Sequence, residues 1–470
     1  MSETTGLTYW SRRVLEELEI VSANFDPDPV HDLRVALRRC RSIADAWLAV
    51  DPDPGWKQLK KLGRDLFSRL GDLRDMQVME ELVNDLADPE DPVGRDILKS
   101  LAEREGELKN NAQSALHVFD TRHWHSLTAR LAERTRSTEL EGPFFQHMAV
   151  ERWENAHHLH RRALKNRSQV AFHQLRIGLK KLRYVVENFL PQRHEAWGRD
   201  LRELQDLLGQ VHDLDVLQGI VKSHAGLGLE DRRRWISRIG EARQERLKKY
   251  REKMAGRQSL WYVWRADLPQ GERLQEAALA RLRTWAAFLD PDFEHSKHVT
   301  TLALQLYDGL ARDGLFRASE KGRRILEAAG LLHDVGLAKT KRGHHKKSCE
   351  MIVKKLAVPL GWTREELRAV AAVARYHRGA LPDAQHSCLK QIGVASKFSV
   401  IRLAGILRLA DGFDAGRDRK VRRLQVERSN GIVTVQGEGF ESIGPVAERI
   451  AAARYLLETT CHVAVVVRPL

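Results

Sequence analysis

The apolar run Leu331-Leu332 ends in His333-Asp334-Val335-Gly336, and Lys339, Lys341, Arg342, His344, His345, Lys346 and Lys347 follow at once. Imidazole beside carboxylate is a ligand set for a divalent cation. Closely spaced lysine and arginine suit phosphate oxygens. Together they point to hydrolysis of a phosphate bond, provided that other elements bring further ligands to the same place.

Helical periodicity supplies three such elements. In 292–310, Val299, Leu302, Leu306 and Leu310 form a buried stripe, and His295 falls within it at about 0–60° from each by the 100° rule. His298 lies at its edge. In 364–378, His377 shares an arc with Val370, Val373 and Ala374. In 400–411, Asp411 sits with Val400, Ala404 and Leu407. Each inward polar group taken alone reads as a core residue with a local partner. A buried carboxylate is costly without counter-charge, so His295, His377 and Asp411 together with His333-Asp334 are most simply satisfied around a metal.

The other half of the chain is a repeat. His31-Asp-Leu-Arg34-Val-Ala-Leu-Arg38-Arg39-Cys40-Arg41 returns as His173-Gln-Leu-Arg176-Ile-Gly-Leu-Lys180-Lys181-Leu182-Arg183. Leu70-Gly71-Asp72-Leu73-Arg74-Asp75 returns as Leu208-Gly209-Gln210-Val211-His212-Asp213. The spacing of the two pairs differs by a loop length, as expected for a duplicated helical unit. On a helix, His31, Arg34, Arg38 and Arg41 fall within roughly 80° of arc. Leu33, Leu37, Cys40, Ala44 and Trp47 occupy another arc, and Leu175, Leu179, Leu182, Val186 and Phe189 match them in the second copy. One basic stripe is ordinarily a solvated face; two at the same offsets suggest a groove for a chain of phosphates.

These residues resemble the CHAD (conserved-histidine α-helical) domain over roughly 8–250. The resemblance implies inorganic polyphosphate as ligand. The implied contacts are His31, Arg34, Arg38, Arg41, Lys60, Arg64 and Arg74 in the first repeat, and His173, Arg176, Lys180, Arg183 and His212 in the second. The order His295, His333-Asp334, His344, His377, Asp411 is similar to that of the HD phosphohydrolase superfamily in its two-metal form. Over about 280–470 the sequence resembles the HD region of the exopolyphosphatase/guanosine-pentaphosphate phosphatase (Ppx/GppA) family, through Ala374-Arg-Tyr-His377-Arg378 and Arg408-Leu-Ala-Asp411-Gly-Phe-Asp414 among others. The actin-like domain that carries that family's phosphatase site has no counterpart in these residues.

The HD resemblance implies two divalent ions (Mn, Mg or Fe) bridged by Asp334. His295, His333 and Asp411 would hold one ion, and His344 and His377 the other. His344 is favoured over His345 because it precedes the small Ser348 by four positions. The ions would activate water for attack on phosphorus. His333, Asp334, Lys339 and Arg378 are then the catalytic candidates, and Lys341, Arg342, His345 and Lys346 the substrate-phosphate candidates.

Composition sets bounds. The chain has 470 residues, 42% hydrophobic and 30% charged, with a formal net charge of +14. Residues 1–250 carry a net of +1 and residues 251–470 a net of +13. A basic protein attracts polyanions, but the basic stripes lack interleaved aromatics and no nucleic-acid motif occurs, which speaks against nucleic acid. No apolar run reaches a membrane span, and MSETTGLTYW is not a secretory signal. Cys40, Cys349, Cys388 and Cys461 are scattered and read as reduced cytoplasmic thiols. No Ser-His-Asp set, Cys-His nucleophile or phosphate loop is evident.

The expectation is a mainly α protein. It comprises a duplicated helical-bundle CHAD domain (8–250), a linker (251–275), an all-helical HD domain (276–424) and a small α/β tail (425–470). The tail reads as strand, a Ser429-Asn430-Gly431 turn, strand (433–435), helix (446–458) and strand (462–467). The expected protein binds polyphosphate, delivers it to a metal-dependent phosphohydrolase, and resides in the cytoplasm, with polyphosphate granules as one location. Two alternatives stand beside it: a phosphohydrolase of guanosine tetra- or pentaphosphate, and a non-catalytic polyphosphate adaptor with a regulatory HD half.

Overall fold

The computed structural model describes residues 6–470 except 24, 89, 137, 225 and 384. The chain divides into two compact units, Met1–Gln270 and Gly271–Leu470.

In the first unit α1 (Gly6–Ala23) packs on α2 (Pro27–Trp47). A short α3 (Gly55–Leu62) precedes α4 (Arg64–Leu86), which pairs with α5 (Pro92–His117), and α6 (Thr121–Thr135) lies against α1 and α3. The pattern then recurs: α7 (Pro143–Asn166) on α8 (Gln169–Phe189), and α9 (Pro191–Ser223) on α10 (Leu229–Met254). The copies meet where α2 packs on α8 and α4 on α9. The offset between them has a visible origin. Residues 48–54 separate α2 from α3, whereas only Leu190 separates α8 from α9. Proline in the first turn starts α2, α5, α7 and α9, where its missing N–H costs nothing. The expected apolar stripes of α2 and α8 are buried throughout. Trp47 stacks on Trp56 at 6.1 Å, and Phe145 stacks on Phe189 at 4.3 Å.

Much of the expected linker is core instead. α10 runs to Met254, and α11 (Leu260–Asp267) buries Trp261 and Trp264, the latter 5.9 Å from Trp197. Two indoles bury more apolar surface than an exposed linker could leave in water.

The second unit begins with α12 (Gly271–Leu289), α13 (Phe293–Arg312) and α14 (Glu320–Leu332), then a 3-10 turn (Val335–Ala338). α15 (His344–Lys355), α16 (Arg364–Arg375), the short α17 (Ser387–Lys390) and α18 (Val394–Phe413) follow. α13, α16 and α14 pack on α18, and α15 packs on α16. Thr363 and Glu366 close a capping box at the start of α16. Strands β1 (Arg423–Ser429) and β2 (Ile432–Glu438) form an antiparallel hairpin. Its Asn430-Gly431 turn has φ of +49° and +75°, the left-handed pair that suits the twist of a two-residue hairpin. β3 (Ala464–Pro469) adds parallel to β2 after α19 (Pro445–Ala453) and α20 (Tyr455–Cys461). The single helix expected over 446–458 therefore breaks at Arg454. The sheet shares the second unit's core. Val426 comes so near Gly309 that a Cβ there would lie 2.7 Å from its Cβ, and Arg312 donates to the Val426 carbonyl at 2.8 Å. Among the described residues no helix is long and apolar enough to cross a membrane.

Candidate metal centre and basic helix face

His333 caps the C-terminus of α14, and its Nδ1 lies 2.7 Å from the Gly330 carbonyl. His377 follows α16 with Nδ1 2.7 Å from the Ala374 carbonyl, and His344 opens α15 with Nδ1 3.1 Å from the Lys341 carbonyl. A carbonyl only accepts, so each Nδ1 carries the proton and each Nε2 presents a lone pair when the ring is neutral. All three Nε2 atoms converge on Asp334 Oδ1, at 3.8 Å (His333), 3.7 Å (His377) and 3.1 Å (His344). The Nε2 atoms of His344 and His377 are 3.3 Å apart. The cluster thus sets acceptor against acceptor.

The remaining expected ligands lie beside this nest. His295 Nε2 is 3.4 Å from Asp411 Oδ1, which is 3.8 Å from His333 Nε2. His295, His333, Asp334, His344, His377 and Asp411 are all buried. They form three overlapping sets that each suit a metal ion: His295 with His333 and Asp334; His333 with His377 and Asp411; Asp334 with His344 and His377. His295 Nε2, His333 Nε2 and Asp334 Oδ1 are buried without a hydrogen-bond partner. The orphaned lone pairs of His333 Nε2 and Asp334 Oδ1 fit a divalent cation.

Electrostatics agree. Although burial opposes ionisation, the surrounding histidines hold Asp334 far below the usual carboxylate range, and His295, His377 and His333 do the same for Asp411. Burial, reinforced by His333, lowers His377 to about 3, so it stays neutral. Burial also opposes protonation of His295, but Asp411 and Asp414 outweigh it and raise His295 to about 9.

Local packing explains the choice of residues around the motif. Ser348 Oγ donates to the His333 carbonyl at 2.6 Å and accepts from Gly336 N–H at 2.9 Å. A Cβ on Gly336 would overlap the His344 carbonyl and lie 2.6 Å from Ser348 N. The small residue four after His344 thus seats α15 beneath the His-Asp turn. His344 enters the ligand cluster. His345 stands beside it, 5.6 Å from His344 by ring centroid, with burial and Arg375 lowering it to about 4. Lys339, Lys341, Arg342 and Lys346 are exposed and Arg378 is half-buried; none has a carboxylate partner among the described residues.

Two site participants escaped the sequence reading: Asp414, quoted only as part of a motif, and Arg417. Asp414 Oδ2 accepts from His295 Nδ1 at 2.7 Å while Oδ1 accepts from Arg419 N at 2.8 Å, so it orients a ligand histidine. Its signal was its place three residues after Asp411, on the same helix face. Arg417 binds Asp334 Oδ2 and donates to Asp292 at 2.9 Å. Arg417 and Arg419 both have φ of +56°, a left-handed strain in a loop without glycine at those positions. Nothing in local sequence marks such a loop.

The first unit gathers the other candidates. Arg34 lies over Phe67 and 3.4 Å from Asp75, and Arg38, Arg39 and Lys180 surround the Tyr184 ring at 5.9 Å each. His173 and His212 face each other, Nδ1 to Nδ1, at 3.3 Å. Burial and then Arg38, Arg176 and Arg34 lower Lys180 to about 8. His31 is lowered by burial and by Arg38, Arg74 and Arg34, and His212 by burial, Arg176 and His173. The Nε atoms of Arg34, Arg38 and Arg176 are buried without a partner. Like charges from both repeats are therefore held together with donors unspent. Others of the expected set are already engaged. Arg183 donates to Glu187 at 2.7 Å, and the same buried carboxylate takes Arg39. Lys60 pairs with Asp45, and Arg41 donates to the Lys60 carbonyl at 2.8 Å. Arg74 pairs with Glu81 at 3.1 Å, and Arg64 is exposed.

Comparison with known families finds a match within each unit. Residues 10–222 match the CHAD domain. Residues 275–435 match domain III of Ppx/GppA phosphatases. No curated protein matches the chain. The CHAD region is the helical duplication described above, and the Ppx/GppA region contains every member of the metal-fit cluster. The two matches fit a polyphosphate-related function.

Proposed function

We propose that the protein binds inorganic polyphosphate through its CHAD helices and hydrolyses a phosphoanhydride at a divalent-metal centre in the second unit. The observation that carries the first half is the cluster of Arg34, Arg38, Arg176 and Lys180, whose mutual repulsion and orphaned donors a phosphate chain would relieve. The second half is carried by the convergence of His333, His344 and His377 on Asp334, with His295 and Asp411 alongside. In this reading those six residues hold the metal, two ions being the number the HD resemblance implies. Bound metal would supply Lewis-acid charge for a water nucleophile and for the phosphoryl oxygens.

The protein's own groups do the rest. The Gly330, Lys341 and Ala374 carbonyls hold the Nδ1 protons and so fix the Nε2 atoms inward. Asp414 holds His295 in register. Lys339, Lys341, Arg342, Lys346 and Arg378 offer unpaired cations to flanking phosphates. Arg417 keeps a fixed positive charge against Asp334.

A second reading, a guanosine polyphosphate as substrate, is favoured by one observation. A cavity of about 320 Å³ lined by Phe413, Val421, Phe440 and Val446 adjoins the loop that bears Arg417, and it would take a nucleobase. Orthophosphate release from long-chain polyphosphate and from guanosine pentaphosphate, with Mn²⁺ or Mg²⁺ and with chelator, separates the readings. Asp334→Ala should abolish release and metal retention while leaving polyphosphate binding intact. Release that survives chelation or Asp334→Ala refutes the metal centre.

A further inference from the structure

Two of the four cysteines, far apart in sequence, meet in the second unit. Cys349 lies on α15 and Cys388 on α17, both partly exposed and uncrosslinked, and each thiol shifts the titration of the other. Both line an open cavity of about 540 Å³ together with Lys346, Arg368, Arg375 and His386. The Tyr376 hydroxyl lies 3.2 Å from Cys388 Sγ and 2.8 Å from His386 Nδ1. Arg375 stacks over Tyr376 at 5.3 Å, and one of its terminal nitrogens is buried without a partner. The mouth of this cavity is cationic, it admits small solutes, and it places one sulfur beside three groups that favour a thiolate. None of these residues belongs to the metal-fit cluster.

We propose that Cys349 and Cys388 form a hydroperoxide-sensitive dithiol that closes to a reversible disulfide between α15 and α17. Cys388 is the attacking sulfur. The neighbouring Cys349 thiol lowers its pKa first, and the Tyr376 hydroxyl, 3.2 Å away, and Arg375 assist against burial, whereas Cys388 and burial raise Cys349. Thiolate character of this kind directs oxidation to one cysteine of a pair.

The chemistry balances with a hydroperoxide as oxidant. The Cys388 thiolate attacks the terminal peroxide oxygen, an S–O bond forms, the O–O bond breaks, and the alkoxide leaves as alcohol after taking a proton from solvent. Sulfur loses two electrons and the peroxide gains them. The Cys349 thiol then attacks the sulfenic sulfur, the S–S bond forms, and hydroxide leaves with the Cys349 proton as water. The link restrains α15, the helix that begins at His344. Cys40, fully buried in α2, and Cys461, outside this cavity, serve as internal controls.

The test treats the full chain, with chelator present, with a small excess of hydrogen peroxide. Thiols are counted after denaturation and crosslinks mapped by peptide mass spectrometry. The expected result is loss of two of the four thiols, an intramolecular link between 349 and 388, and full recovery with dithiothreitol. Cys349→Ser should stop at a sulfenic acid on Cys388, trapped by dimedone, and Cys388→Ser should give neither product. Four persisting thiols, a link through Cys40 or Cys461, or a sulfenic acid confined to Cys349 overturns the proposal.

Discussion

Replacing Lys180 by methionine removes a charge and keeps the length of the side chain, so it separates the structural from the binding role of the basic face. In the folded protein, burial and the charges of Arg38, Arg176 and Arg34 lower the Lys180 pKa from 10.5 to about 8, against a smaller opposing contribution from Asp75. The sign follows from linkage. A lysine lowered on folding is a liability in its charged form. It weakens the fold as pH falls from 10.5 through about 8, and the full cost is present at neutral pH. At about 1.4 kcal/mol per pKa unit the upper bound is about 3 kcal/mol. Screening at a half-buried site reduces this to about 1–2 kcal/mol. Lys180→Met should therefore raise the melting temperature of the first unit by about 3–6 °C at pH 7. The gain should shrink above pH 10, where the wild-type side chain is neutral. The same variant should bind polyphosphate more weakly and lower the slope of log affinity against log salt by about one, because one cation fewer is matched to phosphate. Melting by differential scanning fluorimetry, with and without polyphosphate and with chelator throughout, reads both effects. A variant that melts lower and binds polyphosphate as tightly as the wild type would refute the idea that the fold holds these charges together for a ligand.

Two further substitutions test the proposed metal centre. Gly336→Ala would force a methyl group against the His344 carbonyl and Ser348 N, so it should cost about 1–3 kcal/mol and reduce metal content on elemental analysis. Asp414→Asn removes the carboxylate that orients His295 and should weaken metal binding about 10–100-fold by calorimetric titration. In the metal-free wild type, raised His295 stabilises the fold fully below pH 6.5 and loses that contribution as pH rises through about 9. Asp414→Asn should flatten this stretch of the melting-temperature profile.

The two units use one physical device with opposite sign. In the second, imidazole and carboxylate groups converge as a cation would need them. In the first, guanidinium and ammonium groups converge as an anion would need them. In the first unit the arrangement costs stability in the free protein, as the lowered Lys180 shows. Ordinary packing holds both clusters in place: Trp47 against Trp56 and Phe145 in one unit, and the α13, α16 and α18 helices in the other.

Residue type and helical period by themselves determined much of this protein. The stripe of Val299, Leu302 and Leu306 turned His295 inward, and the corresponding stripes turned His377 and Asp411 inward, because a buried face needs only local periodicity to be legible. The duplicated His-x-x-Arg helices were legible for the same reason. Tertiary structure alone decided which cations remain free. Arg183 and Arg39 are spent on Glu187, and Lys60 on Asp45, while Arg38, Arg176 and Lys180 form no salt bridge among the described residues. It also brought Asp414 to His295, Arg417 to Asp334 and Cys349 to Cys388, and it drew Trp261 and Trp264 into a core where a linker was expected. Those partners lie on different elements, as with Arg39 and Glu187, 148 positions apart. Periodicity fixes the direction in which a side chain points; only the packing of one element on another fixes what it meets.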